Sequence, residues 1–309
     1  MGAHKALVPW DSTCGLDLDS GDLHSTIQLR DGRRLGYVEL GAPRGPVVIH
    51  CHGGGSSRLE ALFLADAAAE LGVRLIGIDR PGIGRSDPHA YASLTGWASD
   101  VAELADRLSI DRFAIQGMSK GGPYALACGF AFPDRVRACG LISTVPPTET
   151  LRLKGPKWLR LLWWLGGHWP GAFLTLAHGG FPGRRAPVLD AQKQIEAALR
   201  WMARADREVL ATNTVRSLIG RVLTEHYRHG GIGARYDARL SMRAWGFDLR
   251  RLPVQRLFLW HGREDRLIGC AIAEALAAAM PGCTSTFYPR DGHFSVLINH
   301  AREILARMR

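Results

Sequence analysis

FAIQGMSKGG, at residues 113–122, is the stretch that decides the fold. Residues 113–115 form an apolar run typical of a buried strand, and residues 123–132 have the small-residue composition of a packed helix. The GxSxG pentapeptide at 117–121 predicts a sharp turn between the two. Glycines on both sides give room for a turn in which the serine adopts an unfavourable backbone conformation. Ser119 is therefore a candidate nucleophile raised above a sheet, beside the N–H groups that begin a helix.

Strand and helix patterns alternate on both sides of this turn. Residues 25–30 and 35–40, joined by Asp31-Gly32, predict an antiparallel hairpin, because Asp-Gly is a favoured two-residue turn. Short apolar runs then predict buried strands, and helical patterns lie between them. The strands are expected at 46–51, 73–78, 136–143, 254–261 and 284–288, and the helices at 59–71, 97–108, 271–280 and from 295. This order predicts an α/β fold with a mostly parallel sheet covered on both faces, after an antiparallel start.

The middle of the chain breaks this alternation. Between Pro146 and Arg250 no clear strand pattern appears, and tryptophans stand among helical patterns at 158, 163, 164, 169, 201 and 245. We predict an N-terminal arm at 1–24, a core made of 25–146 and 251–309, and a helical insertion at 147–250.

Charge and composition argue against several classes of protein. The net charge is +10, and 18 of the 39 Lys and Arg lie at 151–251 against 7 Asp and Glu, without forming a basic run or a nucleic-acid reading motif. We interpret these charges as a solvated helical surface and expect no nucleic-acid partner. No apolar run approaches the roughly 18 to 20 residues of a membrane helix. Six cysteines without a CxxC pair favour free thiols in a reducing compartment. We expect a cytoplasmic monomer or homodimer without stable membrane insertion, although 159–165, with its paired tryptophans, is an alternative membrane-surface segment.

Four motifs together resemble the α/β-hydrolase family, from about residue 25 onward. They are HGGG at 52–55, DRPGIGRSD at 79–87, GMSKGG at 117–122, and HGREDR at 261–266 with DGH at 291–293. The resemblance is to the serine-nucleophile branch, which contains esterases and prolyl-iminopeptidase-like hydrolases with a helical cap. It implies the α/β-hydrolase fold with a cap insertion. Because the family places nucleophile, acid and histidine in that order, it also selects Ser119, Asp265 and His293.

The chemistry of a serine nucleophile supports this selection. Serine needs a base within hydrogen-bond reach, and the base needs a carboxylate that fixes its tautomer. Asp265 and His293 each follow a predicted strand, at the edge where open α/β sheets bind their ligands. Glu264 and the more distant Glu149 are alternative acids, and we favour Asp265.

The resemblance also implies an oxyanion hole and a pocket. The hole would use the N–H of Lys120 and one N–H of the HGGG loop, with Gly54 preferred and Gly53 second. The Lys120 side chain either attracts an anionic substrate or, as we favour, projects along the helix. Trp163 and Trp164 are candidates for the substrate pocket, although we expect most of the tryptophans to form the core of the insertion.

Other cofactor chemistries lack their sequence signatures. No HExxH, P-loop or dinucleotide fingerprint is present, so we expect no metal and no cofactor. His52 is expected to organise its loop, His50 to lie in a strand, and Arg80 and Asp87 to be structural. The resemblance implies a serine hydrolase acting on a small to medium apolar ester, thioester, lactone or amide. Acyl transfer, cyclisation, carbon–carbon bond cleavage, or a ligand receptor with little turnover are the alternatives.

Overall fold

The computed structural model describes residues 21–177, 199–200 and 202–309. Within them an eight-stranded sheet has the order β1-β2-β4-β3-β5-β6-β7-β8. The strands are β1 Ser25–Gln28, β2 Arg34–Gly41, β3 Val47–Cys51, β4 Arg74–Ile78, β5 Phe113–Met118, β6 Val136–Ile142, β7 Leu257–Gly262 and β8 Cys283–Tyr288. Neighbours from β4 to β8 run parallel, whereas β1 pairs antiparallel with β2, and β2 with β4. The predicted α/β fold with its antiparallel start is confirmed.

Helices connect the strands and cover both faces of the sheet. In the described ranges they are α1 Ala65–Glu70, α2 Leu94–Arg107, α3 Gly121–Ala131, α4 Thr148–Lys154, α5 Lys157–His168, α6 Pro170–Ala177, α7 Arg204–Leu210, α8 Asn213–His226, α9 Ile232–Ser241, α10 Cys270–Ala278, α11 Ser295–Asn299 and α12 Ala301–Met308. The helix predicted at 59–71 is a 3-10 helix over Arg58–Leu64 followed by α1. None of the helices described is long and apolar enough to cross a membrane.

The core forms two apolar layers, one on each face of the sheet. Alternate strand residues serve opposite layers, since Ile115 packs in the layer with Trp97 of α2, and Ala114 in the layer with Leu305 of α12. All of β3 and β5 is buried, as expected of strands covered on both faces.

The turn after β5 has the predicted shape. Ser119 has a φ of 49°, in the left-handed region that non-glycine residues rarely adopt. A Cβ on Gly117 would lie 2.2 Å from the carbonyl oxygen of Gly121, and one on Gly121 would lie 2.0 Å from that of Cys51. Both positions therefore require glycine, because backbone approaches backbone there.

The parallel register brings the loops after four strands to one edge. Cys51 lies opposite Gly117, Met118 opposite Ile142, and Gly262 opposite Tyr288, so β3, β5, β7 and β8 end near the same edge. The part of 147–250 that is described is helical, from α4 to α9. The arm at 1–24 falls almost wholly outside the described residues, and the domain boundaries stay a prediction.

Candidate active site

His293 and Asp265 are in direct contact at the carboxyl edge of the sheet. Nδ1 of His293 lies 2.7 Å from Oδ2 of Asp265, and both residues are buried. The other oxygen of Asp265 accepts hydrogen bonds from the backbone N–H groups of Leu267 and Ile268, at 2.8 and 2.9 Å. These bonds fix the carboxylate, which in turn holds Nδ1 of the imidazole and leaves Nε2 as the nitrogen that can accept a proton. The alternative acids Glu264 and Glu149 are both exposed.

The contact raises the pKa of His293 above its ordinary value. Burial disfavours the imidazolium, but the charge and hydrogen bond of Asp265 outweigh it, with smaller contributions from Asp206 and Glu60. Burial would likewise raise the pKa of Asp265, yet His293 lowers it below its usual range. Asp265 is therefore ionised at neutral pH and stabilises positive charge on His293.

A second carboxylate, Asp206 of α7, holds the backbone around His293. Oδ2 of Asp206 accepts the N–H of His293 at 2.8 Å, and Oδ1 accepts those of Phe294 and Ser295 at 2.9 and 2.8 Å. A Cβ on Gly292 would lie 2.2 Å from Oδ2 of Asp206, which explains the glycine of the DGH motif. Sequence reasoning missed Asp206, because it comes from a helix 87 residues before the histidine.

Ser119 and His293 line one cavity of about 480 Å³, together with Gly54, Lys120 and Trp163. In the part of the chain that is described, no hydrogen bond joins Ser119 to His293. Such bonds are often long in unliganded enzymes and tighten when substrate binds.

Of the two candidate donors in the HGGG loop, Gly53 has an N–H that is already hydrogen-bonded within the described residues, and Gly54 does not. The N–H of Gly53 donates to Oε1 of Glu60 at 2.9 Å, and this carboxylate also accepts from His50 at 2.9 Å. The N–H of Gly53 is thus already bound, which favours Gly54 as the donor. Across the described ranges, no acceptor takes the N–H of Gly54 or of Lys120.

Arg80 and His52 brace the HGGG loop, as the sequence predicts. The Arg80 guanidinium donates to the carbonyl oxygens of His52 and Gly53, the latter at 2.9 Å. Nδ1 of His52 donates to the Gly53 carbonyl at 2.8 Å. Burial holds the pKa of His52 well below its usual value, so the ring is neutral. Arg80 is in turn bound by Asp237 of α9, at 2.7 Å from Nε to Oδ1.

The Lys120 side chain turns into the cavity and does not project along the helix surface as predicted. A Cβ on Gly54 would lie 2.8 Å from Cδ of Lys120, so the stem of Lys120 packs on the loop. Its Nζ lies 5.6 Å from the ring centre of Phe173 of α6. Burial lowers the pKa of Lys120, and Arg80 adds to this, while Asp237 opposes it.

The two candidate pocket tryptophans differ in burial and in the cavities they line. Trp163 is 5% exposed and lines both the cavity of Ser119 and a neighbouring cavity of about 910 Å³, whereas Trp164 is 50% exposed and lines the neighbouring cavity. The prediction for Trp164 is corrected, since adjacent helical residues point about 100° apart. Trp158 and Trp169 are exposed, contrary to the expected core role, whereas Trp245 is buried. Trp201 lies outside the described residues.

Over residues 21–177, 199–200 and 202–309, no three His, Cys, Asp or Glu side chains converge on a point that could hold a metal ion.

Comparisons with known proteins support the fold. Residues 46–299 match the family described as alpha/beta hydrolase fold. The chain is 24% identical over 271 residues to a 2-hydroxy-6-oxononadienedioate/2-hydroxy-6-oxononatrienedioate hydrolase from Paraburkholderia phymatum, covering 85% of each chain. It is 31% identical over 136 residues to proline iminopeptidase from Neisseria meningitidis, covering 41% of this chain and 42% of that relative. The chain likewise spans less than half the length of other curated relatives it matches. An esterase from Exiguobacterium antarcticum has a similar structure, with a TM-score of 0.67 and 20% identity over 92% of this chain and 97% of that chain.

Proposed function

The chain belongs to the α/β-hydrolase family, and we propose that it is a serine hydrolase that forms an acyl-enzyme at Ser119. The observation that carries the proposal is the 2.7 Å contact between His293 and Asp265, in the cavity that Ser119 also lines. A buried imidazole fixed by a carboxylate beside a strained serine is the arrangement that activates a hydroxyl. The substrate class is a small to medium ester, thioester, lactone or amide, since the cavity holds about 480 Å³.

The reaction follows from these positions. Ser119 Oγ attacks the substrate carbonyl while Nε2 of His293 takes its proton, and Asp265 stabilises the imidazolium. The N–H groups of Lys120 and Gly54 donate to the oxyanion, and each such donor contributes about 3 kcal/mol to the transition state. His293 then gives the proton to the leaving group. Water, activated by the same imidazole, releases the acid and restores Ser119.

The helices between β6 and β7 are proposed to act as a cap over this cavity. Trp163 of α5, Phe173 of α6, Tyr227 just after α8 and Asp237 of α9 contribute to its wall. A wall built by an insertion lets substrate choice vary without change to the core. The cap is therefore where the acyl or alcohol group is selected.

Hydrolytic cleavage of a carbon–carbon bond is the second candidate. It is favoured by the match over 85% of each chain to the hydrolase from Paraburkholderia phymatum. The same serine, histidine and oxyanion donors serve a ketone carbonyl as well as an ester. Parallel assays with a β-diketone and with esters separate the two candidates.

Burst kinetics test the acyl-enzyme. With p-nitrophenyl butyrate in excess, the wild type should release about one equivalent of nitrophenol rapidly and then turn over more slowly, if deacylation limits the rate. Ser119→Ala and His293→Ala should each lose roughly 10⁴-fold or more in kcat. Retained turnover in Ser119→Ala would reject Ser119 as the nucleophile, and a folded wild type inert to every ester and diketone would favour a receptor.

A further inference from the structure

Lys120 follows the proposed nucleophile Ser119 in the chain, and its side chain places an ammonium group in the wall of the cavity. Its stem packs on Gly54, and its Nζ lies above the Phe173 ring at 5.6 Å. Phe173 belongs to α6 of the insertion, so the charged end lies on the side of the cavity that faces these helices. A cation over an aromatic face is attracted by the negative charge density of the ring, which holds the ammonium in this position.

The charge of Lys120 has no dedicated counterion in the described part of the chain. No carboxylate or carbonyl there accepts a hydrogen bond from its Nζ. Asp237, whose charge acts on Lys120, already accepts Nε of Arg80 at 2.7 Å and the hydroxyl of Tyr124 at 2.9 Å. Two cations, Arg80 and Lys120, therefore share one carboxylate in this region.

Among the described residues, none of the other polar groups of the wall pairs with the Lys120 ammonium. Glu60 is bound to His50 and to the N–H of Gly53. Burial lowers the pKa of His226 to about 4, so its ring adds no charge at neutral pH. The indole N–H of Trp163 has no acceptor among the residues described. The cavity thus offers an indole N–H and an ammonium group that make no hydrogen bond within the described residues.

From this arrangement we propose that the substrate carries a carboxylate besides its reacting carbonyl, and that the Lys120 ammonium binds this carboxylate. The inference rests on the proposed hydrolase function and narrows it to anionic substrates. An ammonium–carboxylate hydrogen bond is stronger than a neutral one and gains further strength in a cavity poor in water. The apolar faces of Trp163 and Phe173 then hold the chain between the two carbonyl groups. Lys120 contributes twice, with its backbone N–H to the oxyanion and with its side chain to specificity.

A pair of matched esters tests the proposal. The p-nitrophenyl monoester of glutarate carries a terminal carboxylate, and p-nitrophenyl hexanoate is a neutral chain of similar length. The readout is the ratio of kcat/KM for the anionic ester to that for the neutral one. A ratio is chosen because damage to the oxyanion hole would lower both values alike.

Lys120→Met, which keeps an unbranched side chain one atom shorter and removes the charge, should lower this ratio about 10- to 100-fold, mainly through KM. Lys120→Arg should restore most of it, and Lys157→Met, at an exposed lysine at the start of α5, should leave it at the wild-type value. Glutarate should also inhibit wild-type hydrolysis of the hexanoate competitively, and glutaramide should not. The inhibition experiment uses only the wild-type protein, so its result does not depend on whether a variant folds.

An unchanged ratio in Lys120→Met, or equal inhibition by glutarate and glutaramide, would overturn the carboxylate subsite. If Ser119-dependent turnover of the neutral ester persists in that case, the hydrolase function stands and only the inference falls. If the folded wild type cleaves neither ester and Ser119 does not react with a fluorophosphonate, both the hydrolase function and the carboxylate subsite are rejected.

Discussion

Oδ2 of Asp206 lies 2.8 Å from the backbone nitrogen of His293, so a helix of the insertion holds the loop of the proposed catalytic base. The same carboxylate takes two further N–H groups at the start of α11. Its negative charge also contributes to the raised pKa of His293. Asp206 is thus a positioning residue. It holds the backbone of His293 by a hydrogen bond, and its negative charge helps to raise the pKa of the imidazole.

Asp206→Asn should lower kcat and move the acid limb of the pH profile to lower pH. The amide removes a negative charge near His293 and offers one acceptor oxygen where two are used. We expect a loss of about 10- to 100-fold in kcat/KM at pH 7. The control is Glu208→Gln on the same helix, whose exposed carboxylate pairs with Arg204. If Asp206→Asn loses activity with an unshifted pH profile, its role is structural only.

The pH dependence of the wild type follows from the raised pKa of His293. The imidazole must be neutral to accept the serine proton, so activity falls as pH drops through the pKa. Because Asp265 raises that pKa, the midpoint of the acid limb in kcat/KM should lie above about 6.5. A midpoint well below this value would contradict the pairing with Asp265.

Asp265→Asn removes the charge that stabilises the imidazolium and lets the ring adopt the wrong tautomer. We expect kcat to fall by about 10⁴-fold, as in other serine hydrolases with this substitution. Glu264→Gln, at the exposed neighbouring carboxylate, is the matched control. A larger loss in Glu264→Gln than in Asp265→Asn would assign the acid to Glu264.

Trp163→Ala should change which acyl chains are accepted, whereas Trp164→Ala should not. Trp163 is buried in the wall of the Ser119 cavity, whereas Trp164 is half exposed and lines the neighbouring cavity. Truncation of Trp163 enlarges the cavity, so the chain-length optimum of p-nitrophenyl esters should move to longer acyl groups. The same shift in both variants would mean that the helix, and not one side chain, sets the preference.

Asp237→Ala should destabilise the protein strongly. It leaves the fully buried guanidinium of Arg80 without its carboxylate, and such a loss costs about 3 to 5 kcal/mol. Tyr124→Phe removes a single hydrogen bond to Asp237 and should cost about 1 kcal/mol. Urea unfolding measures both, with Asp248→Ala at an exposed ion pair as the control. Equal stability of Asp237→Ala and Asp248→Ala would show that the buried pair contributes little.

Local sequence patterns predicted the sheet and the elbow because each depends on neighbouring residues. The alternation of apolar runs, and glycines on both sides of Ser119, are signals contained within a few positions. Asp265 and His293 were selected by the order of the motifs in the α/β-hydrolase family, and their places after strands that end at one edge of the sheet supported that selection.

Contacts between distant segments could not be read in the same way. Asp206 and Asp237 reach the site from helices whose packing no local pattern specifies. The bond from Gly53 to Glu60 depends on how the HGGG loop folds over the 3-10 helix. The choice between Trp163 and Trp164 depends on the rotation of α5, whose buried residues Leu159, Trp163, Gly166 and Gly167 share one face.

Labelling by a fluorophosphonate tests the central claim most directly. The reagent phosphonylates a serine only when a neighbouring base activates it and an oxyanion hole receives the charge. The account predicts one equivalent of label per chain, located by peptide mass spectrometry on Ser119 and absent from Ser119→Ala and His293→Ala. A folded wild-type protein that stays unlabelled, or a label that persists in Ser119→Ala, would contradict it.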